Sequence, residues 1–196
     1  MKNQLLIERF LKRNPLRDIS AARIQYSLVT KPDLENILET MVQKNGMETN
    51  DTRRDRDLFQ NETEPEELLR WMRRDMGGAN KELLCRKLLE MEDTVLPVIQ
   101  RRILSSFVDV FVENALLFFV RAKTDCSNWL FNHFGEIRNP YAQCMVCLAL
   151  GFRASEDSAP WMMQQYESMR SRFPSESFCE GPLLALHELR ARFYPT

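Results

Sequence analysis

Cys144 and Cys147, three residues apart in "AQCMVCLALG", are the pair in this chain whose types and spacing could do chemistry. A Cys-x-x-Cys pair can hold a metal or cycle between dithiol and disulfide, and each use has requirements. Structural zinc takes four ligands, and a second pair at comparable spacing is missing. Cys126, Cys179, His133 and His187 are scattered single residues. A redox pair usually sits at a helix N-terminus after a strand, where the helix dipole lowers the thiol pKa. No strand pattern precedes this pair, and a helix opening at Pro140 puts Cys144 past its first turn. Ala142, Met145, Val146, Leu148, Ala149 and Leu150 surround the pair, and cysteine in such company behaves as a small hydrophobe. The pair reads as the buried face of a helix, ahead of zinc and ahead of redox chemistry.

Nothing else in the sequence supplies a catalytic signature. A phosphate loop, GxSxG, HExxH and a dinucleotide fingerprint are all missing. His133 and His187 are too few for a histidine-based site and read as surface or capping residues. Glu66-Glu67 and Glu156-Asp157 fit helix starts, where negative charge suits the helix dipole. The sequence therefore predicts no catalytic residue, no metal ligand, no cofactor and a non-enzyme.

The elements that carry these residues are predicted to be helices. The 196 residues are 44% hydrophobic and 28% charged, which is globular, and only 6 are glycine, which disfavours an all-β fold. Basic and acidic residues cancel, 27 against 28, and they are balanced on both sides of residue 78. Electrostatic capture of nucleic acid or of an anionic membrane has no compositional support. The cysteine count is odd, five, and the charged N-terminus lacks the apolar core of a signal peptide, so a reducing, cytoplasmic setting is expected. The most apolar stretch, 107–120, is broken by Asp109, Glu113 and Asn114 and is too short to span a bilayer.

Leu6, Ile7, Phe10 and Leu11 give an amphipathic helix over 3–12. Asp18 can cap a second helix to residue 28, and Pro32-Asp33 opens a third that stops at Asn45-Gly46. Residues 47–64 carry nine charges in eighteen residues and read as a solvated loop, with docking through Leu58-Phe59 as the second reading. Pro65 opens a helix that Gly77-Gly78 ends. Within it Trp71 stands beside Arg70, Arg73 and Arg74. That cluster reads as a solvated face, with contact to phosphate or an acidic partner as the alternative.

Beyond residue 80 a repeat emerges. Asp93, Asp125 and Asp157 are each 32 residues apart, and each precedes a short helix whose first N–H groups it can accept. Pro97 and Pro160 lie in or near those first turns. The same shift aligns ALLFFVR with CLALGFR, and Trp129 with Trp161. The two tryptophans read as a packed ladder, with a stacking surface as the alternative. Helix pairs are predicted at 80–91 with 94–105, 107–122 with 126–137, and 141–152 with 158–171. A last helix over 177–193 has no following partner.

"AQCMVCLALGFRASEDSAPWMMQQY" resembles a HEAT repeat: a helix ending in L-A-L-G, an acidic turn, then A-P and two apolar residues opening a second helix. "EDTVLPVIQ" is similar to the second part of that pattern and "GPLLALHEL" to the first; the middle repeat departs from it at Trp129. The resemblance covers about 80–193. It implies an all-α fold, an α-α superhelix (a HEAT/armadillo-like solenoid of small bacterial type) of about three helix pairs with an N-terminal helical cap. The expected organisation is a cap over 1–46, a charged loop over 47–64 and repeats over 65–196, in one continuous domain.

The family implies scaffolding and partner binding on the concave face lined by the short helices. In that register Gln100, Asn132 and Gln164 are 32 apart, as are Arg101, His133 and Gln165. These six are the candidate partner-binding residues, and they suit a peptide backbone or an acidic side chain. The expected function is a non-catalytic protein–protein interaction scaffold binding a protein or peptide. The alternative is a nucleic-acid protein like the HEAT-like glycosylases of alkylated bases, which needs a basic concave surface that a net charge of −1 disfavours. A lyase or other modifying enzyme without a local motif is a third reading.

Overall fold

The computed structural model describes residues 2–16, 50–76 and 78–195. The helices expected over 18–28 and from Pro32 lie outside the described residues, as does most of the 1–46 cap. Among the described residues the chain is all-helical, with no strand. The helices are α1 (Lys2–Arg13), α2 (Asn50–Gln60), α3 (Pro65–Trp71), α4 (Gly78–Glu90), α5 (Glu92–Ile103), α6 (Asp109–Arg121), α7 (Ser127–His133), α8 (Pro140–Arg153), α9 (Ala159–Arg172) and α10 (Glu180–Phe193). Short 3₁₀ turns follow α7 at Phe134–Glu136 and precede α9 at Glu156–Ser158.

Residues 50–60 correct one expectation. The charged stretch is helix α2 and not a loop. Its polar side faces water, while Phe59 is fully buried and packs edge-to-face on Trp71 at 5.9 Å between ring centroids. One aromatic anchor fixes a segment whose composition reads as loop, because tertiary burial outweighs weak local propensity. Leu58, its neighbour, is exposed.

Helices α4, α6, α8 and α10 form the core; α9, expected as a shorter helix, has 14 residues like α8 and α10. Residues 142–151 of α8 are buried on every side, as are 114–119 of α6 and 181–187 of α10. A helix that is apolar all round belongs inside a fold. Packing runs α2 on α4, α4 on α6, α6 on α8, and α8 on α10, so each of these helices meets the next one but one in the chain. Glycine permits the closest approach. A Cβ at Gly151 would lie 2.5 Å from Ala185 Cα, and one at Gly181 would lie 2.2 Å from the Cys144 carbonyl oxygen. Helix α1 then packs on α10 and α9, burying Ile7 and Leu11 and setting Phe10 edge-on to Tyr166 at 5.3 Å.

Two of the contacts between helices keep the 32-residue spacing of the sequence repeat, Lys81–Glu113 and Glu92–Thr124; the others span 28 to 41 residues. Lys81 on α4 bonds Glu113 on α6 at 3.0 Å, 32 residues on, and Glu113 also accepts from Tyr141 at 3.2 Å. Glu92 accepts from the N–H groups of Lys123 and Thr124 at 2.7 Å each. The arginine closing each of α6, α8 and α10 reaches back to its predecessor. Arg121 on α6 pairs with the fully buried Glu82 on α4. Arg153 on α8 donates to Thr124 O at 3.3 Å, and Arg192 on α10 donates to Gly151 O and Ala154 O at 2.7 and 3.0 Å. Arg192 thereby sits on the carbonyl end of α8, where the helix dipole favours a cation. The arginine shared by ALLFFVR and CLALGFR is therefore an inter-helix clamp.

The aspartate register is only partly a capping register. Asp125 accepts from the Ser127 N–H at 2.9 Å. Asp93 falls inside α5, because Glu92 opens that helix. Asp157 lies in a 3₁₀ turn and accepts from Asn3 of α1 at 3.2 Å. Pro97 is interior to α5, beyond its first turn, whereas Pro160 does stand at the start of α9. The expected stop at Gly77-Gly78 is also displaced: α3 ends at Trp71 and Gly78 opens α4.

Candidate functional site

Cys144 and Cys147 are buried on α8, at 6% and 0% exposure. Burial pushes the Cys144 thiol up to about 12 and the Cys147 thiol well above its ordinary value. Neither is poised as a thiolate, the form that attacks or binds metal. Cys85 is raised to about 12 for the same reason. Among the described residues no group of three or more His, Cys, Asp or Glu side chains is placed to hold a metal ion. His187 corrects an expectation, being buried in α10 and not at the surface.

The six ladder residues lie on α5, α7 and α9. Arg101, Asn132 and Gln164 are exposed, while Gln100, His133 and Gln165 are half-buried. His133 stacks on Trp129 with ring centroids 4.3 Å apart and nearly parallel planes. Its Nδ1 lies 2.9 Å from the Trp129 carbonyl oxygen; a carbonyl only accepts, so Nδ1 carries the proton. A partner can meet this ring only through Nε2. The three helices touch at a few points. Trp161 of α9 takes Phe131 and Phe134 edge-on at 4.9 and 4.8 Å. The Arg138 N–H, after α7, donates to Leu104 O, after α5, at 3.0 Å. Both tryptophans are half-buried, packed on the core by one face. No hydrogen bond or ion pair among the described residues links one rung to the next, so the exposed rungs remain open to an outside ligand.

A second surface is better formed. Helices α3 and α5 and the α5–α6 loop enclose an open cleft of about 640 Å³. Arg70, Arg73 and Arg102 reach it, with Glu66 on one wall and Phe107, Val108 and Phe111 beneath. Arg102 bonds Glu66 at 2.8 Å, which ties α5 to α3, and Arg70 pairs with Glu67 one turn back. Arg73 is exposed and makes no ion pair among the described residues. Phe107 is 67% exposed, the most exposed large hydrophobic residue among the described residues. Arg74, the third arginine of the predicted cluster, lies instead over the Trp71 ring, 4.4 Å from its centroid. The basic cluster around Trp71 thus divides: Arg70 and Arg73 face the cleft, and Arg74 covers the ring. Arg102 and Phe107 come from a later part of the chain, and no local motif announces that they join it.

A smaller cleft of about 300 Å³ lies where α4 meets α5, with Glu92 and Thr124 in its wall. Burial alone would raise the Glu92 carboxyl, but the bonds from Thr124 and Lys123 outweigh it and hold the group below the usual carboxylate range. Among the described residues no helix is long and apolar enough to cross a membrane. Comparison with protein-family models, with curated proteins and with solved structures finds no match to this chain.

Proposed function

We propose that the chain is a non-catalytic interaction scaffold, a short HEAT-like solenoid that binds a peptide or protein partner through α5, α7 and α9 and works in the reducing cytoplasm. The observation that carries this is the repeated inter-pair contact. Lys81–Glu113 and Glu92–Thr124 both span 32 residues, the period of the sequence repeat. On this reading successive pairs stack α4, α6, α8 and α10 into a core and leave α5, α7 and α9 on the outer side. On that side Arg101, Asn132 and Gln164 present a guanidinium and two amides, groups that hydrogen-bond backbone and carboxylate but do not transfer protons near neutral pH. The buried, protonated cysteines fit the same reading.

The test is alanine at Arg101, Asn132 and Gln164 together. Exposed positions of this kind change stability by about 0.5 kcal/mol or less each. The melting temperature should stay close to wild type while captured partners are lost from an affinity pull-down. A variant that captures the same proteins with the same yield contradicts the ladder as the binding surface.

A further inference from the structure

We propose that the cleft between α3, α5 and the α5–α6 loop binds an acidic peptide segment that carries one large apolar side chain. The inference rests on the reading of the chain as a partner-binding protein, but it uses a surface separate from the polar ladder. Three arginines reach the cleft against one glutamate, in a chain whose net charge is −1. Glu66 is already held by Arg102, so the positive charge left over is that of Arg70 and Arg73. Arg70 shares its charge with Glu67 across an exposed i,i+3 pair, a weak contact that a competing carboxylate can displace. Arg73 has no such competitor among the described residues, and its planar guanidinium matches a carboxylate in two parallel hydrogen bonds.

The apolar half of the site is the exposed Phe107, with the buried Phe111 also lining the cleft. An aromatic ring left mostly in water beside one unpaired and one weakly paired arginine is the composition of an interface anchor and its charged rim. A cleft of about 640 Å³ accommodates one large side chain with its flanking residues. Nucleic acid fits less well. It would meet the Glu66 carboxylate in the wall, and a net charge of −1 gives no compositional support for capture of a polyanion.

A random peptide library displayed on phage, panned against the full chain, tests this. Enriched sequences should place Asp or Glu on both sides of one large apolar residue. A synthetic peptide of that sequence should lose about tenfold or more in affinity to Arg73→Glu and to Phe107→Ala, the usual effect of removing an interface anchor. It should bind the Arg101/Asn132/Gln164 triple alanine variant like wild type. Both cleft residues are exposed, and an unchanged melting temperature would confirm that each variant folds. The proposal is overturned if nothing is enriched, if enriched peptides lack acids, or if both cleft variants bind as well as wild type. It is also overturned if a single-stranded oligonucleotide displaces the peptide more effectively than free peptide does. If only the ladder variant loses binding, the cleft is wrong while the partner-binding reading stands.

Discussion

At the residue scale, environment decides what each titratable group does. The thiols of Cys144 and Cys147 are held protonated by burial among apolar neighbours. A thiol-specific reagent should therefore modify the half-buried Cys179 first and reach the pair only on unfolding. Rapid native-state labelling of Cys144 or Cys147 would contradict their core placement. Glu92 shows the opposite balance, because two backbone donors outweigh its desolvation. A carboxyl depressed in the folded state contributes stability above the ordinary range near pH 4, and that contribution is lost as pH falls through the lower folded value. Glu92→Gln keeps the shape but removes the charge from these bonds, at a cost of about 1–3 kcal/mol at neutral pH. The substitution should also flatten the acid limb of the stability profile. An acid limb as steep as wild type would mean that other carboxylates carry it.

At the element scale, two glycines set how closely α8 and α10 approach. Gly151→Ala and Gly181→Ala each drive a Cβ into backbone that cannot give way, and each should destabilise by about 1–3 kcal/mol in denaturant unfolding. A neutral Gly181→Ala would show that the helices separate easily. The same helices show what the sequence could and could not say. The end of α8, with its L-A-L-G, was legible because a buried helix needs apolar residues all round, and close packing needs a small residue at the contact. The Pro140 start of α8 was legible because proline suits a first turn; the Asn139 cap, which accepts from the Tyr141 N–H, was not part of that expectation. Helix α2 was not, because its burial rests on one residue, Phe59, meeting Trp71 from a separate helix. Asp93 misled because Glu92 beside it opens the helix one residue earlier and turns its carboxylate to the next loop. The ladder positions were placed by register, and register distinguishes Arg101 from Arg102 by one residue. The cleft depends on Arg102 and Phe107 reaching residues of α3, a convergence that no local pattern encodes.

At the scale of the whole molecule, the first helix closes the far end of the chain. Helix α1 covers α10 and α9, with Ile7 fully buried there. Ile7→Ala should cost about 2–4 kcal/mol, as for other fully buried aliphatic residues. It should loosen the C-terminal helices first in hydrogen exchange, although the substitution lies at the N-terminus. Loosening that began in α4 would contradict this closure. Helix α1 covers α9 and α10, and Arg121, Arg153 and Arg192 tie neighbouring helices together, so the proposed scaffold would offer two polar surfaces, the ladder and the arginine cleft. The most direct test of the scaffold reading is a quantitative pull-down from a native cell lysate. Wild type is compared with the Arg101/Asn132/Gln164 triple alanine variant and the Arg73→Glu/Phe107→Ala variant, all at matched melting temperature. The account predicts protein partners that wild type captures and at least one variant loses. The same proteins on all three, or only small molecules and nucleic acid, would contradict it.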